Sequence, residues 1–176
     1  MRHSDLLLMS SSLYRCNMDD ISFKKAGRED VPVIMDFIRA LAEYEKLEHE
    51  ITADLNTLEC EMFDKRGANA IIAYCQGVPC GMALYFYNFS TFLGRRGIYL
   101  EDLFVVPAYR SRGIGTLLLR ELAKTAISEG CGRLEWSCLD WNTPSIGFYK
   151  SLGAQPMDEW TVYRVTGKTL EQLARG

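Results

Sequence analysis

The segment Arg110-Ser111-Arg112-Gly113-Ile114-Gly115-Thr116 lies between a β-type run and a long helical stretch, and its residue types suit the holding of an anion. The N–H groups at a helix start have no intrahelical partner and carry partial positive charge, so they attract phosphate. Glycine lets an oxygen approach the backbone because no Cβ intervenes. Arg110 and Arg112 add local charge. The competing reading is a flexible strand-to-helix turn with two solvated arginines, since Gly-rich turns are common punctuation. A dinucleotide fingerprint is excluded because Leu118 stands where its third glycine belongs, and no P-loop is read here.

The run before this turn, Tyr99 to Val106, carries Glu101 and Asp102 side by side. Carboxylates in an apolar strand are costly unless they are hydrogen-bonded or open to a cleft. Regular alternation puts Glu101 on a face with Tyr99 and Leu103 and turns Asp102 to the other face, which excludes a paired-carboxylate glycosidase site. Asp102 alone reads as an acceptor for nearby backbone N–H groups. The cysteines, at 16, 60, 75, 80, 131 and 138, contain no C-x-x-C pair, and His3 and His49 fall in no metal-ligand spacing. No metal is expected, and the thiols read as reduced. Cys138 has no histidine placed to activate it and reads as a core thiol rather than a nucleophile.

These residues need elements to position them. Ile21–Lys25 reads as a strand. Arg28-Glu29-Asp30 and Pro32 then open an amphipathic helix through Val33, Ile34, Phe37, Ile38 and Leu41 to about Leu47. Asp54–Phe63 reads as a second helix. Ala70–Tyr74 and Val78–Asn88 form a hairpin about Gln76-Gly77, and Gly97–Val106 is a third strand of this group. After the glycine turn, Leu117, Leu118, Leu122 and Ala126 mark a helix that ends at Gly130. Arg133–Leu139 reads as a strand, Asn142 caps a short helix to about Ser151, Trp160–Val165 reads as a last strand, and Leu170–Arg175 as an amphipathic tail. The order β α α β β β α β α β is mixed α/β without the regular alternation of a doubly wound fold.

The whole chain bounds the function. Its 176 residues suit one domain, and 48% hydrophobic with 24% charged residues is a globular composition. A net charge of −3 disfavours a nucleic-acid partner. Leu6-Leu7-Leu8-Met9 is too short for a secretory core and nothing approaches a membrane span, so residues 1–17 read as a disordered extension, 18–176 as the domain, and the cytoplasm as the compartment.

Arg110-x-x-Gly113-x-Gly115, preceded by Leu100-Glu101-Asp102-Leu103-Phe104-Val105 and followed by Asp140-Trp141-Asn142 and Phe148-Tyr149, resembles the GCN5-related N-acetyltransferase superfamily. Ala42-Glu43-Tyr44-Glu45-Lys46-Leu47 and Gly153-Ala154-Gln155 are similar to its diamine (spermidine/spermine) and thialysine branch. The resemblance runs from about Asp19 to Arg175. It implies one domain with a central, mostly antiparallel twisted sheet flanked by helices, and acetyl-CoA as co-substrate. Leu103, Phe104 and Val105 would meet the acetyl–pantetheine arm through their backbone. Arg110 would add charge while Ser111, Arg112, Gly113, Ile114, Gly115 and Thr116 wrap the pyrophosphate, and Asn142 with Ser145 would meet the pantetheine arm.

The resemblance also assigns the chemistry. Tyr149 would protonate the departing thiolate, whose conjugate acid has a pKa of about 8.5. The acceptor amine, with a pKa of about 10.4, must lose a proton, and Glu101 is placed to take it directly or through water. Tyr44, Glu45, Glu101, Glu135, Trp136 and Ser137 match the positions that hold a small cationic amine, and a homodimer built with the last strand and tail is expected. Two alternatives stay open. One is an amino-acid or protein N-terminal acceptor, for which Arg95 or Arg96 would pair with a carboxylate; the other is a non-catalytic acetyl-CoA-binding module.

Overall fold

The computed structural model describes residues 17–176, so the expected extension lies outside the described residues except for Asn17. The chain divides into two compact units, one ending at Ser137 and the other spanning Cys138–Gly176.

The first unit is built on five strands in sequential order: β1 (Ile21–Lys25), β2 (Asn69–Cys75), β3 (Val78–Ser90), β4 (Arg95–Val105) and β5 (Leu134–Trp136). All neighbours are antiparallel except β4 and β5, which run parallel. The β2–β3 hairpin turns on Gln76 and Gly77, both at positive φ (51° and 80°), as a two-residue turn matched to strand twist requires.

The helix α1 (Val31–Glu45) starts with Pro32 in its first turn. Before it, Asp30 accepts the Gly27 N–H (2.8 Å) and pairs with Lys24 (2.8 Å), so the acidic opening expected from the sequence is present. A short helix α2 (Leu55–Glu59) continues into a wider π turn, Cys60–Asp64. Ile34 and Phe37 of α1 join Met62, Ile72, Met82, Leu84 and Phe104 in a buried cluster on one face of the sheet. The helix α3 (Ile114–Ser128) buries Leu118, Leu119 and Leu122 and packs on β3 and β4. It lies on the other face, because a Cβ on Gly81, one residue out of phase with Met82, would meet Leu118 Cδ1 at 3.4 Å and the Phe104 carbonyl at 2.8 Å. Only glycine lets β3 approach β4 so closely there.

The second unit contains α4 (Thr143–Ser151) and α5 (Gly167–Arg175). Two expectations are corrected here. The strand expected at Trp160–Val165 is not formed; Trp160, Val162 and Tyr163 are 70%, 80% and 90% exposed. A strand exists only with a ladder partner, and Cys138–Gly176 holds no second strand to supply one. The strand expected over Arg133–Leu139 is confined to β5, three residues long. The sequence also contains Gly167-Lys168-Thr169, which has the form of a P-loop ending but opens α5 with Val162 where that motif needs its first glycine. Cys75 is disulfide-bonded, which departs from the reading of reduced thiols throughout, while Cys60, Cys80, Cys131 and Cys138 are free.

Candidate active site

The two carboxylates on β4 are separated by a bulge. Leu84 of β3 pairs with Asp102 and Tyr85 pairs with Leu100, so Glu101 is an extra residue with no partner across the ladder. A bulge interrupts alternation and re-aims the side chains around it. Asp102 takes the face of Leu84 and Phe104, toward α1, whereas Leu100 pairs with Tyr85 on the α3 side. Tyr99 stacks on Phe86 (5.1 Å between ring centroids) and shares the α1-side face with Asp102. The alternation expected from the sequence, with Glu101 grouped with Tyr99 and Leu103, therefore fails at this point.

Asp102 also departs from its expected part as a backbone N–H acceptor: among the described residues, no side-chain hydrogen bond or ion pair engages it. Its carboxyl is pushed up to about 6, first by burial and then by the charges of Glu101 and Glu45. Burial likewise raises the Glu45 carboxyl. Glu101 and Glu45 thus both lie within electrostatic reach of Asp102. Sequence reasoning gave Asp102 only the part of a backbone acceptor and left it out of the site, although a carboxylate on an apolar strand was a signal of an unusual environment.

Tyr44 and Glu45 form the last turn of α1, which stops because Lys46 adopts a left-handed conformation (φ 61°). Leu47 N–H closes back onto the Ala42 carbonyl (2.8 Å), in the manner of a Schellman end normally made by glycine. Carboxylates at a helix C-terminus oppose the macrodipole. Glu43 and Glu45 are therefore placed against local stability.

The turn after β4 has the geometry of an anion cradle. Ser111 and Gly113 both have positive φ (60° and 79°), and Gly113 directly precedes α3. The Leu117 N–H donates to the Gly113 carbonyl (3.0 Å), so the N–H groups of Ile114, Gly115 and Thr116 precede the first helical bond. The arginines are less free than the sequence implies. Arg110 Nε donates to the Val105 carbonyl (2.9 Å) and its guanidinium lies over the Tyr44 ring at 5.0 Å, while Arg112 lies over Tyr109 at 5.6 Å.

Along β5, Glu135 pairs with Tyr99 and Trp136 with Leu100, so the two expected substrate contacts take opposite faces. The Glu135 carboxylate is already engaged by Asn88 Nδ2 (2.5 Å) and Arg133 Nε (2.9 Å). Ser137 Oγ and Tyr99 Oη are hydrogen-bonded at 2.6 Å. Arg96, considered for a carboxylate-bearing acceptor, pairs with Glu129 (3.1 Å) and lies over Tyr87 (4.5 Å).

In the second unit, Asn142 is 6% exposed and its side-chain oxygen caps α4 by accepting the Ser145 N–H at 3.3 Å. Tyr149 is half-buried on α4, with its ring 5.2 Å from that of Phe148. Among the described residues, no group of three or more His, Cys, Asp and Glu is placed to hold a metal ion, and no helix is long and apolar enough to cross a membrane.

Residues 34–154 match the model of the acetyltransferase (GNAT) family, and the chain belongs to that family and is an N-acetyltransferase. It is 34% identical over 169 residues to thialysine N-epsilon-acetyltransferase of Mus musculus, covering 89% of this chain and 99% of that protein. It is 44% identical over 96 residues to L-ornithine N5-acetyltransferase of Arabidopsis thaliana, covering 54% of this chain and 42% of that protein. Among solved structures, an integron cassette protein from V. cholerae superposes with a TM-score of 0.75 at 28% identity, covering 89% of this chain and 99% of its own.

Proposed function

We propose that this chain transfers the acetyl group of acetyl-CoA to the primary amine of a small cationic acceptor, such as a diamine, a polyamine or a lysine-like amine. The observation that carries the reading is the set of carboxylates made by Glu45 at the end of α1 and Glu101 and Asp102 at the β4 bulge, in the same unit as the anion cradle at Gly113. That set recognises a cation and offers a base, and the cradle suits a diphosphate. The names of the relatives, which specify side-chain amines of thialysine and ornithine, support the same acceptor class.

In this reading the amine nitrogen attacks the thioester carbon directly, and no acetyl-enzyme forms. Glu101 takes the proton the amine must lose, and backbone N–H groups of β4 stabilise the oxyanion. The C–S bond breaks and Tyr149 protonates the departing thiolate. Ser111 to Thr116 hold the pyrophosphate, Leu103 to Val105 and Asn142 with Ser145 the pantetheine arm, and Tyr44 and Glu45 the acceptor. The proposal includes a homodimer and a cytoplasmic location.

Thiol release from acetyl-CoA across a panel of diamines, ornithine, lysine and thialysine tests the reading. Saturable, amine-dependent release is expected for at least one of them, and its absence for all would overturn the proposal. Tyr149→Phe should lower kcat by about 100-fold while leaving the dissociation constant of CoA nearly unchanged. Undiminished turnover would remove Tyr149 from its role.

A further inference from the structure

We propose that Arg110 is a positioning residue: it holds the ring of Tyr44 at the acceptor end of α1 and so ties the anion cradle to amine binding. The inference rests on the acetyl-transfer reading for its kinetic consequence, but its geometry stands independently. The guanidinium carbon lies 5.0 Å from the Tyr44 centroid and 5.8 Å from that of Phe104, and Nε donates to the Val105 carbonyl. Phe104 in turn packs on Phe37 of α1 at 5.6 Å. The turn, the end of β4 and the last turn of α1 therefore share one packed row.

The chemistry of arginine suits this task. A planar guanidinium stacks on aromatic faces and still has donors left on its Nη atoms when Nε is engaged. Tyr44 is 37% exposed, and α1 stops two residues later at left-handed Lys46, so the ring is not fixed by core burial. Without the cation above it, the last turn of α1 loses a contact that sets where Tyr44 and its neighbour Glu45 stand.

The test uses Arg110→Gln, Arg110→Lys, Tyr44→Leu and the double variant Arg110→Gln/Tyr44→Leu in the full chain. Amine KM at saturating acetyl-CoA and acetyl-CoA KM at saturating amine are measured, with hydrogen exchange over residues 40–47 in the ligand-free protein. Arg110→Gln and Tyr44→Leu should each raise the amine KM about 3- to 10-fold, with the double variant no worse than either single one. Arg110→Lys, which keeps a cation over the ring, should restore most of the loss, and Arg110→Gln should speed exchange over 40–47. Multiplying effects in the double variant, or a rise confined to the acetyl-CoA KM, would overturn the proposal. Should the wild-type chain turn over no amine, the acetyl-transfer reading falls, and the exchange measurement alone decides: faster exchange in Arg110→Gln supports the positioning link and unchanged exchange refutes it.

Discussion

At the scale of single residues, the bulge on β4 makes Asp102 the most unusual carboxyl in the sheet. Its folded value of about 6 lies above the unfolded value of about 3.9. Between those values the folded protein binds the extra proton, so stability falls as pH rises through that window. Below about pH 4 both states are protonated and the penalty vanishes. Asp102→Asn should therefore be more stable than the wild type by on the order of 2–3 kcal/mol at pH 8 and nearly equal to it at pH 4, as read from urea midpoints. An equal gain at both values would show that the charge is not the cause. Glu101 makes a separate kinetic prediction. If it takes the amine proton, Glu101→Gln should lower kcat/KM about 100-fold near pH 7 and recover toward pH 10, where the acceptor deprotonates unaided. A constant deficit across the pH–rate profile would assign Glu101 another role. The pair of carboxylates was legible in the sequence because charge on an apolar strand demands explanation. Their faces were not, because alternation counts residues, and a bulge inserts one without a local signature at Leu100-Glu101-Asp102.

At the scale of elements, the C-terminal end of α1 is built against its own local stability. Glu43 and Glu45 oppose the dipole, and Lys46 holds a left-handed conformation that costs an L-residue about 1 kcal/mol. Lys46→Gly should raise stability by about 0.5–1 kcal/mol, seen as a higher thermal midpoint. An unchanged or lower midpoint would mean that the lysine side chain contributes more than its backbone costs. The elements that the sequence made legible are those closed by local chemistry: the Gln76-Gly77 hairpin, α1 with Pro32 at its start, and α3 after Gly113. Those it misjudged depend on distant partners. β5 ends at Trp136, and residues 160–165 alternate like a strand but form none. The link from Arg110 to Tyr44 was hidden for the same reason, since only the folded sheet brings the turn to the end of α1.

At the scale of the whole molecule, the segment 160–165 poses a problem of exposed surface. Trp160, Val162 and Tyr163 lie in a strand-like run with no ladder, and α5 adds Leu170 and Leu173 at 53% and 70% exposure. Large apolar side chains left exposed, where they gather into a patch, form an interaction surface. A strand-type sequence gains most from such a surface when another strand completes its hydrogen bonds. In the homodimer proposed above, a second copy of the chain would satisfy both requirements at once, because a two-fold contact sets like patches against each other. Light scattering at tens of micromolar should therefore give about twice the 20.0 kDa chain mass for the wild type. Trp160→Asp combined with Val162→Asp should return the single-chain mass, since two buried carboxylates facing their copies would be unpaired and strongly destabilising. A wild-type mass of one chain at that concentration would exclude the dimer, and a variant that stays double would move its interface away from this segment.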